Sequence, residues 1–201
     1  MLERLREVEG TVLDRPAYHA DSAREKARLT GVIWKLERAQ HFSEPHDPAW
    51  QALMDGDWDR ALRIFEEERP GVRENARSYA RRGTPFRRLR VVERPVSRYL
   101  RWEMHYFRIL AEEGFELRVI DAARLAELER EQPVPEVVVL GEKVLYQVRY
   151  DEQWAPCGAR RITDPQAVRA TAAQIAALWE QGEPLIDFFH REIAPTTVST
   201  C

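Results

Sequence analysis

The sequence predicts a mixed α/β protein, in which a twisted mixed sheet is flanked by helices and preceded by a mostly helical N-terminal part. Three observations lead to this fold class. Residues 87–121 read as a strand, a capped amphipathic helix and a second strand. Two apolar runs within residues 137–150 surround a glycine-containing turn, as expected of a hairpin. The sequence Thr163-Asp164-Pro165 then starts a helix that has an apolar inner face.

Length and composition describe an ordinary globular protein. At 201 residues and 44% hydrophobic content, the chain can bury a core without disulfides or metals. No apolar run approaches the ~20 residues that a membrane-spanning helix needs, and the charged N-terminus differs from a secretory signal. The two cysteines, Cys157 and Cys201, give neither a disulfide framework nor metal-ligand spacing. We therefore expect a cytoplasmic protein that has no membrane partner, no metal and no cofactor.

The N-terminal part, residues 1–83, is predicted to be mostly helical with one strand candidate. Apolar residues at helical spacing indicate a short helix within the first nine residues. Asp21 or Ser22 is expected to cap a second helix, which ends near Gly31. The loosely alternating residues 32–37 are the strand candidate.

Two further helices are predicted before residue 84. Asp47 followed by Pro48 is typical of a helix start, and Gly56 is expected to end this short helix. Asp57 is expected to cap the next helix. The Pro-Gly pair at positions 70 and 71 is expected to break or kink it, and a helical stretch then continues to residue 83.

Residues 84–193 are predicted to form the α/β core domain. Within it, residues 122–131 are predicted to be a helix, and the uninterrupted apolar run Val137–Leu140 is typical of a strand buried on both faces. A short strand is expected around Ile162, and a last helical segment ends the domain. Residues 194–201 show no packing pattern, so that we expect a disordered tail.

The first candidate site lies on the long amphipathic helix. Tyr99, Glu103 and Tyr106 share one of its faces, which places a carboxylate in an aromatic stripe. A buried carboxylate is costly unless it is paired, and Arg87 and Arg90 on the preceding strand are suitable partners. The functional interpretation is a ligand-binding pocket of Arg90, Tyr99, Glu103 and Tyr106 for a small cationic or polar molecule. The alternative is a structural ion pair that holds the helix to the sheet.

The second candidate is a basic block. Residues 71–101 carry ten arginines and two glutamates, a net charge of +8 in a chain whose net charge is −3. The proposed interaction surface consists of Arg73, Arg77, Arg81, Arg82, Arg87 and Arg88. It could contact an acidic protein partner, or a phosphate backbone by direct nucleic-acid binding. No DNA- or RNA-binding motif accompanies it, and the alternative is a solvated face that the acidic remainder neutralises.

Two other segments contain residue types that are suited to chemistry. The loop with His41, Glu44, His46 and Asp47 lacks the fixed spacing of a metal site, which favours a solvated loop. The tail resembles the core of a modified ribosomal peptide, in which dehydrated serine or threonine cross-links to cysteine. The residues of this candidate modified tail are Thr196, Thr197, Ser199, Thr200 and Cys201. The alternative is an accidental composition in a disordered terminus.

Several phrases of the sequence resemble a family of uncharacterised actinobacterial proteins, one of the numbered domains of unknown function. They are WKLERAQHF, GDWDRAL, RVVERPVSRYLRWE, EVVVLGEKVLYQVRYD and TDPQAV, which together span most of the chain. The resemblance implies a mixed α/β fold and an intracellular protein that is often encoded beside small helix-turn-helix regulators. It implies no activity.

The C-terminal half also resembles the ligand-sensing domain of some transcriptional regulators, which shares the phospholipase D-like fold. Catalytic members of that fold need a His-x-Lys motif, and no histidine of this chain is followed two residues later by lysine. The resemblance therefore implies a domain without phosphodiester chemistry.

We accordingly expect a non-enzymatic accessory or regulatory protein that binds a small ligand or a helix-turn-helix regulator. The first alternative is direct nucleic-acid binding through the arginine block. The others are an unrecognised enzyme, whose site is assembled from residues far apart in sequence, and a tail that is a substrate for peptide modification.

Overall fold

A computed structural model describes residues 1–195. The strands are β1 (Thr11–Asp14), β2 (Ile33–Glu37), β3 (Phe86–Val92), β4 (Glu116–Asp121), β5 (Val137–Leu140), β6 (Val144–Tyr150), β7 (Pro156–Ile162) and β8 (Glu183–Pro184). The helices are α1 (Arg15–Ala27), α2 (Pro48–Met54), α3 (Trp58–Arg81), α4 (Arg98–Glu112), α5 (Pro165–Gln181) and α6 (Leu185–Phe188). Short 3-10 helices lie at Leu2–Glu7 and Ala122–Leu125, and α6 continues into a π-helical turn, Phe189–Ile193. The predicted mixed α/β fold with flanking helices is confirmed.

The strands form one sheet in the order β1-β7-β6-β5-β2-β3-β4-β8. β2, β3 and β4 are parallel, with α2 and α3 between the first two and α4 between the last two. All other neighbouring strands are antiparallel. β2 therefore lies where the parallel and antiparallel parts of the sheet meet.

The position of β2 also bears on the domain division that was predicted at residue 83. β2 lies in the middle of the sheet between β5 and β3, and β1 pairs with β7 at one edge. Residues 1–83 thus contribute two strands to the same sheet as residues 84–193, one more than expected. The division into two units stays a prediction.

The two faces of the sheet are covered differently. On one face, α5 and the helix Leu2–Glu7 pack on apolar side chains that include Trp34, Leu36 and Val139. On the other face, α1 covers β6 and β7, while α3, α4 and α6 cover the side of β3 and β4. Side chains alternate between faces along each strand, so that Ile33, Lys35 and Glu37 belong to this second face.

Four predicted helix starts are confirmed. The side chains of Asp47, Asp57, Ser97 and Asp164 each accept a hydrogen bond from a backbone N–H in the first turn of α2, α3, α4 and α5, at 2.7–3.1 Å. Such caps satisfy N–H groups that have no partner inside the helix. The predicted hairpin is also present as β5 and β6.

The predicted start of the second helix is wrong. Asp14 caps α1 by accepting a hydrogen bond from the backbone N–H of Ala17 at 2.9 Å. Asp21 and Ser22, which were the expected caps, are buried in the middle of α1. Asp21 accepts a hydrogen bond there from the Tyr146 hydroxyl at 2.6 Å. A tertiary contact, rather than capping, explains this polar residue.

Of the two outcomes predicted at Pro70 and Gly71, the break is wrong, because α3 runs through both residues, and the kink stays a prediction. Both lie on the exposed side of the helix, whereas Val72 and Ala76 beyond them are buried. Packing of the second half on the core outweighs the backbone hydrogen bond that a proline removes.

The predicted helix at residues 122–131 is wrong beyond its first turn, since only Ala122–Leu125 is helical. The chain then turns, and the Glu129 carboxylate accepts hydrogen bonds from the Arg38 side chain at 2.7 Å and the Val134 backbone at 3.0 Å. These long-range and turn contacts compete with helix propagation. The strand expected around Ile162 is longer than predicted, as β7, and β8 was not predicted.

The candidate modified tail, Thr196, Thr197, Ser199, Thr200 and Cys201, lies outside the described residues. Its modification and its disorder stay predictions. Within residues 1–195, no helix has both the length and the apolar character needed to cross a membrane.

Alanine substitutions at two glycines are expected to change the free energy of unfolding in opposite directions. Gly158 in β7 has a φ of +147°, and a Cβ there would overlap the backbone oxygen of Leu13 in β1. Gly71 lies in α3 with open space around it. We expect Gly158→Ala to lower the free energy of unfolding by about 2 kcal/mol or more, because β1 must move. We expect Gly71→Ala to raise it by about 0.5–1 kcal/mol. Urea unfolding followed by circular dichroism measures both, and changes of the same sign would contradict the two assignments.

Candidate functional site

A cleft of about 500 Å³ opens on the second face of the sheet, between α1 on one side and α3 and α4 on the other. β2, β3 and β5 form its floor. Tyr99, Glu103 and Tyr106, three of the four predicted ligand-binding residues, line it. The fourth, Arg90, lies buried next to it and is bonded to Glu103. The structure therefore brings the four predicted residues together at one cleft.

Four charged side chains occupy neighbouring positions on the floor strands. In the parallel register of β2 and β3, Lys35 lies beside Arg88 and Glu37 lies beside Arg90. Since alternate residues of a strand share a face, all four belong to the cleft face. Lys35 Nζ lies 2.6 Å from Glu37 Oε1, and Arg88 Nη1 lies 3.6 Å from Glu37 Oε2. Strands covered by helices usually carry apolar side chains, so that this arrangement indicates a surface for polar contacts.

Arg90 is completely buried. Its Nε donates to Glu103 Oε2 at 2.8 Å, and its Nη1 donates to the backbone oxygens of Glu37 at 3.3 Å and Val91 at 3.4 Å. The ring of Phe42 packs 5.6 Å from the guanidinium carbon. Although burial opposes the charge, the carboxylates of Glu103 and Glu37 raise the pKa of Arg90 above its usual range. Arg90 is thus a permanent buried cation.

The two carboxylates beside Arg90 respond differently to burial. Burial would raise the pKa of Glu37, but Arg88, Lys35 and Arg90 outweigh it and lower this pKa to about 2. Burial raises the pKa of Glu103, and Arg90 offsets only part of that effect. Glu37 is therefore fixed as an anion, whereas Glu103 is the more readily protonated of the two.

The Tyr99 hydroxyl lies between two carboxylates, 2.5 Å from Glu44 Oε1 and 3.3 Å from Glu103 Oε1. A hydroxyl has one proton to donate, so that two simultaneous hydrogen bonds require a protonated carboxyl group on one side. Burial, together with the nearby charge of Glu103, raises the pKa of Glu44 to about 7. This part of the cleft can therefore bind or release a proton near neutral pH.

Glu136 is a further buried carboxyl group of the cleft. It accepts hydrogen bonds from the backbone N–H groups of Arg38 at 2.7 Å and Ala39 at 2.6 Å, directly after β2. Burial raises its pKa to about 7, although Arg90 and the two N–H groups act in the opposite direction. Glu136 thus holds the chain at the end of β2.

One end of the cleft combines acidic and aromatic side chains. We call this the acidic end, which is formed by Glu44, Asp47, Glu68, Phe65, Trp102 and Tyr106. The Phe65 ring lies 5.1 Å from that of Trp102 and 5.0 Å from that of Tyr106, measured between ring centroids. α3 and α4 thus supply a continuous aromatic wall.

The arginines of the predicted interaction surface that lie on α3 or directly after it are largely engaged within the protein. Arg73 pairs with Glu113 at 2.7 Å, and Arg81 pairs with Glu74 at 2.8 Å. Arg82 donates to the backbone oxygen of Lys26 at 3.2 Å. The remaining member on this helix, Arg77, is exposed.

The two arginines of β3 in that surface face opposite sides of the sheet. Arg87 pairs with Glu116 at 2.8 Å and lies 5.2 Å from the Trp34 ring, on the face covered by α5. Arg88 lies in the cleft, 4.4 Å from the Phe107 ring. The two-residue period of a strand makes this separation unavoidable. The six arginines therefore do not form one continuous surface.

The sequence did not identify Lys35, Glu37 or Glu44 as site residues, and it placed Glu44 in a solvated loop. A signal existed for the first two, because Lys35 and Glu37 have the same two-residue spacing as Arg88 and Arg90. Nothing local indicated that the two strands are neighbours. Within residues 1–195, no cluster of histidine, cysteine and carboxylate groups is arranged to hold a metal ion.

Comparison with known proteins gives a family without an activity. The model of a family described as a domain of unknown function, DUF6879, matches residues 21–190. No curated protein matches the sequence. The fold is similar to a solved structure of TrmBL2, an archaeal chromatin protein described as showing a novel mode of DNA binding, with 11% identity and a TM-score of 0.46. The match covers 87% of this chain and 52% of the TrmBL2 chain, so that this chain spans about half the length of TrmBL2. This likeness supports no inference about function.

The buried ion pair predicts a coupled loss of stability. Arg90→Met and Glu103→Leu should each lower the free energy of unfolding by about 3–5 kcal/mol, because each leaves a charge buried without its partner. The double variant should lose clearly less than the sum of the two single changes. Urea unfolding of the four proteins measures this coupling. Additive losses would mean that the pair contributes nothing as a pair.

The raised pKa of Glu44 predicts a pH dependence of stability. A folded-state pKa of about 7, above the ordinary value of 4.5, means that the native state keeps a proton that the unfolded chain has lost. Stability from this group is complete below the ordinary pKa and is lost as the pH rises through 7. From pH 5 to pH 8, the melting temperature of the wild type should therefore fall by a few degrees more than that of Glu44→Gln. Glu142→Gln, at an exposed position, is the control and should follow the wild type.

Proposed function

We propose that this chain, which belongs to the DUF6879 family of unknown function, is a non-enzymatic accessory or regulatory protein that binds a small polar ligand in the cleft. Cleft volumes of about 300–1,000 Å³ with a few convergent polar groups are typical of small-molecule sites. The cleft described above, at about 500 Å³, has this size and character.

The proposal rests on one observation. Several buried polar atoms around the cleft form no hydrogen bond within the described structure. They are Glu37 Oε2, Arg88 Nε, Arg90 Nη2 and Trp102 Nε1. In folded proteins, more than about 90% of buried polar groups are hydrogen-bonded. Glu37, Arg88 and Trp102 line the cleft and Arg90 lies next to it, so that these unpaired donors and this acceptor favour a ligand that supplies both kinds of group.

An enzyme is the second candidate. Glu44 and Glu136 have pKa values near 7 and face a cleft that also contains the Tyr99 hydroxyl. Groups that exchange protons near neutral pH are suited to general acid and base catalysis. A ligand that the protein returns chemically changed would support this alternative over a binding function.

We also infer that this is a cytoplasmic regulatory protein of actinobacterial type. We infer that its C-terminal half corresponds to a phospholipase D-like sensing domain without the His-x-Lys motif. Its proposed partner is a helix-turn-helix regulator or another acidic protein. The separation of Arg87 from Arg88 favours the cleft over the arginine surface as the main site. It also weakens the case for a continuous nucleic-acid contact. Direct nucleic-acid binding would have to weaken steeply with salt.

A thermal-shift screen of small polar molecules tests the binding proposal. A ligand at 100 times its dissociation constant stabilises a protein by about 2.7 kcal/mol, which is a shift of several degrees. We expect ligands that stabilise the wild type to lose at least half of this shift in Glu103→Gln. The matched control is Glu116→Gln, whose carboxylate pairs with Arg87 on the opposite face.

Equal shifts in both variants would place the ligand elsewhere. If Glu103→Gln is unfolded, the structural role of the ion pair is supported, and Tyr106→Leu then becomes the test of the cleft. Tyr106 lines the cleft and is only partly buried, so that its replacement leaves the ion pair intact.

A further inference from the structure

The acidic end of the cleft contains three carboxylates that have no cationic partner among residues 1–195. Glu44 accepts a hydrogen bond from the Tyr99 hydroxyl, and Asp47 Oδ1 accepts hydrogen bonds from the backbone N–H groups of Ala49 and Trp50. Glu68 lines the same end from α3. None of the three forms an ion pair with lysine, arginine or histidine in the described structure.

These carboxylates are close enough to affect one another. Burial raises the pKa of Glu44, and the charges of Glu103 and Asp47 raise it further. Burial raises the pKa of Glu68, and Asp47 again adds to the effect. Mutual repulsion of this kind disappears when a cation binds between the groups. On the cleft floor, Lys35 and Arg88 approach Glu37 rather than these three carboxylates.

The surroundings of the carboxylates favour an organic cation over a metal ion. The rings of Phe65, Trp102 and Tyr106 form the wall beside them. Aromatic faces attract ammonium groups, whereas hard metal ions need a shell of six or more oxygen ligands. One oxygen of Asp47 is also occupied by the cap of α2.

A second and independent feature points to a ligand at the same end. Trp102 is 2% exposed and lines the cleft, and its indole Nε1 forms no hydrogen bond in the described part of the chain. An indole N–H can only donate. Its partner must be an acceptor atom, which a simple ammonium ion does not have.

We propose that the acidic end binds the ammonium group of an organic amine that also carries a hydrogen-bond acceptor, of which an amino alcohol is the simplest class. The ammonium group lies between Glu44, Asp47 and Glu68 and beside the aromatic wall. The acceptor atom takes the indole N–H of Trp102. This inference rests on the proposed function, since it assigns a ligand class to the same cleft.

The experiment uses the indole N–H of Trp102 as the reporter in a ¹H–¹⁵N NMR titration of the full chain. The signal is assigned by its loss in Trp102→Phe. The probes are choline, its uncharged isostere 3,3-dimethylbutan-1-ol, and the anion 3,3-dimethylbutyrate, each against an equal concentration of sodium chloride. We expect choline to shift the signal saturably, with at least tenfold tighter binding than the alcohol or the anion.

Charge-neutral variants test the residues. Glu44→Gln combined with Glu68→Gln should weaken choline binding at least tenfold, while the spectrum remains that of a folded protein. The matched control is Glu67→Gln combined with Glu142→Gln, which removes the same charge from exposed positions. This control should bind choline as the wild type does.

The outcomes separate the two proposals. If the alcohol or the anion binds as tightly as choline, or if the Glu44 and Glu68 variant keeps its affinity, the amine inference is wrong and the cleft remains a binding site. If none of the three probes moves the Trp102 signal beyond the salt control, the amine inference is wrong, and the thermal-shift screen of other polar molecules decides on the proposed ligand site.

Discussion

The buried guanidinium of Arg90 is the constraint on which the second face of the sheet depends. A cation that is shielded from solvent must be neutralised by nearby anions. The carboxylates that neutralise Arg90 are those of Glu37 in β2, Glu103 in α4 and Glu136 directly before β5. Glu103 pairs with it directly, Glu37 and Glu136 act on it through their charges, and backbone oxygens satisfy part of its remaining hydrogen-bonding capacity. The position of α4 over the sheet and the charged floor of the cleft are thus parts of one electrostatic arrangement.

Much of the fold could be predicted because its signals are local. Caps at Asp47, Asp57, Ser97 and Asp164 act within one helical turn, and the β5–β6 hairpin closes over three residues. The errors occur where distant residues decide the outcome. Asp21 looked like a cap but is bonded to Tyr146, which is 125 positions away, and α3 continues past Pro70 because of core packing. Propensity is a weak guide where tertiary contacts compete with it.

Only the part of the candidate site that lies on α4 and on the strand before it could be predicted from the sequence. Helical spacing placed Tyr99, Glu103 and Tyr106 on one face, and their nearness to the preceding strand indicated Arg90. Lys35, Glu37 and Glu44 could not be added, because their approach requires the pairing of β2 with β3 across the 48 residues that separate them. The arginine block stays a prediction, but its continuity is limited for a related reason. A count of charges along the chain ignores the alternation that sends Arg87 and Arg88 to opposite faces.

The central place of β2 also has a consequence for how the chain is made. The first partner strand of β2 begins at residue 86 and the second at residue 137, so that a ribosome must extend the chain by about a hundred residues before both edges of β2 are paired. Until then, a strand that carries Ile33, Trp34 and Leu36 and has free N–H and C=O groups is exposed to other chains. Non-local pairing of this kind slows folding and favours aggregation of incomplete products. The strand that carries the floor of the cleft is therefore also a segment that needs protection during synthesis.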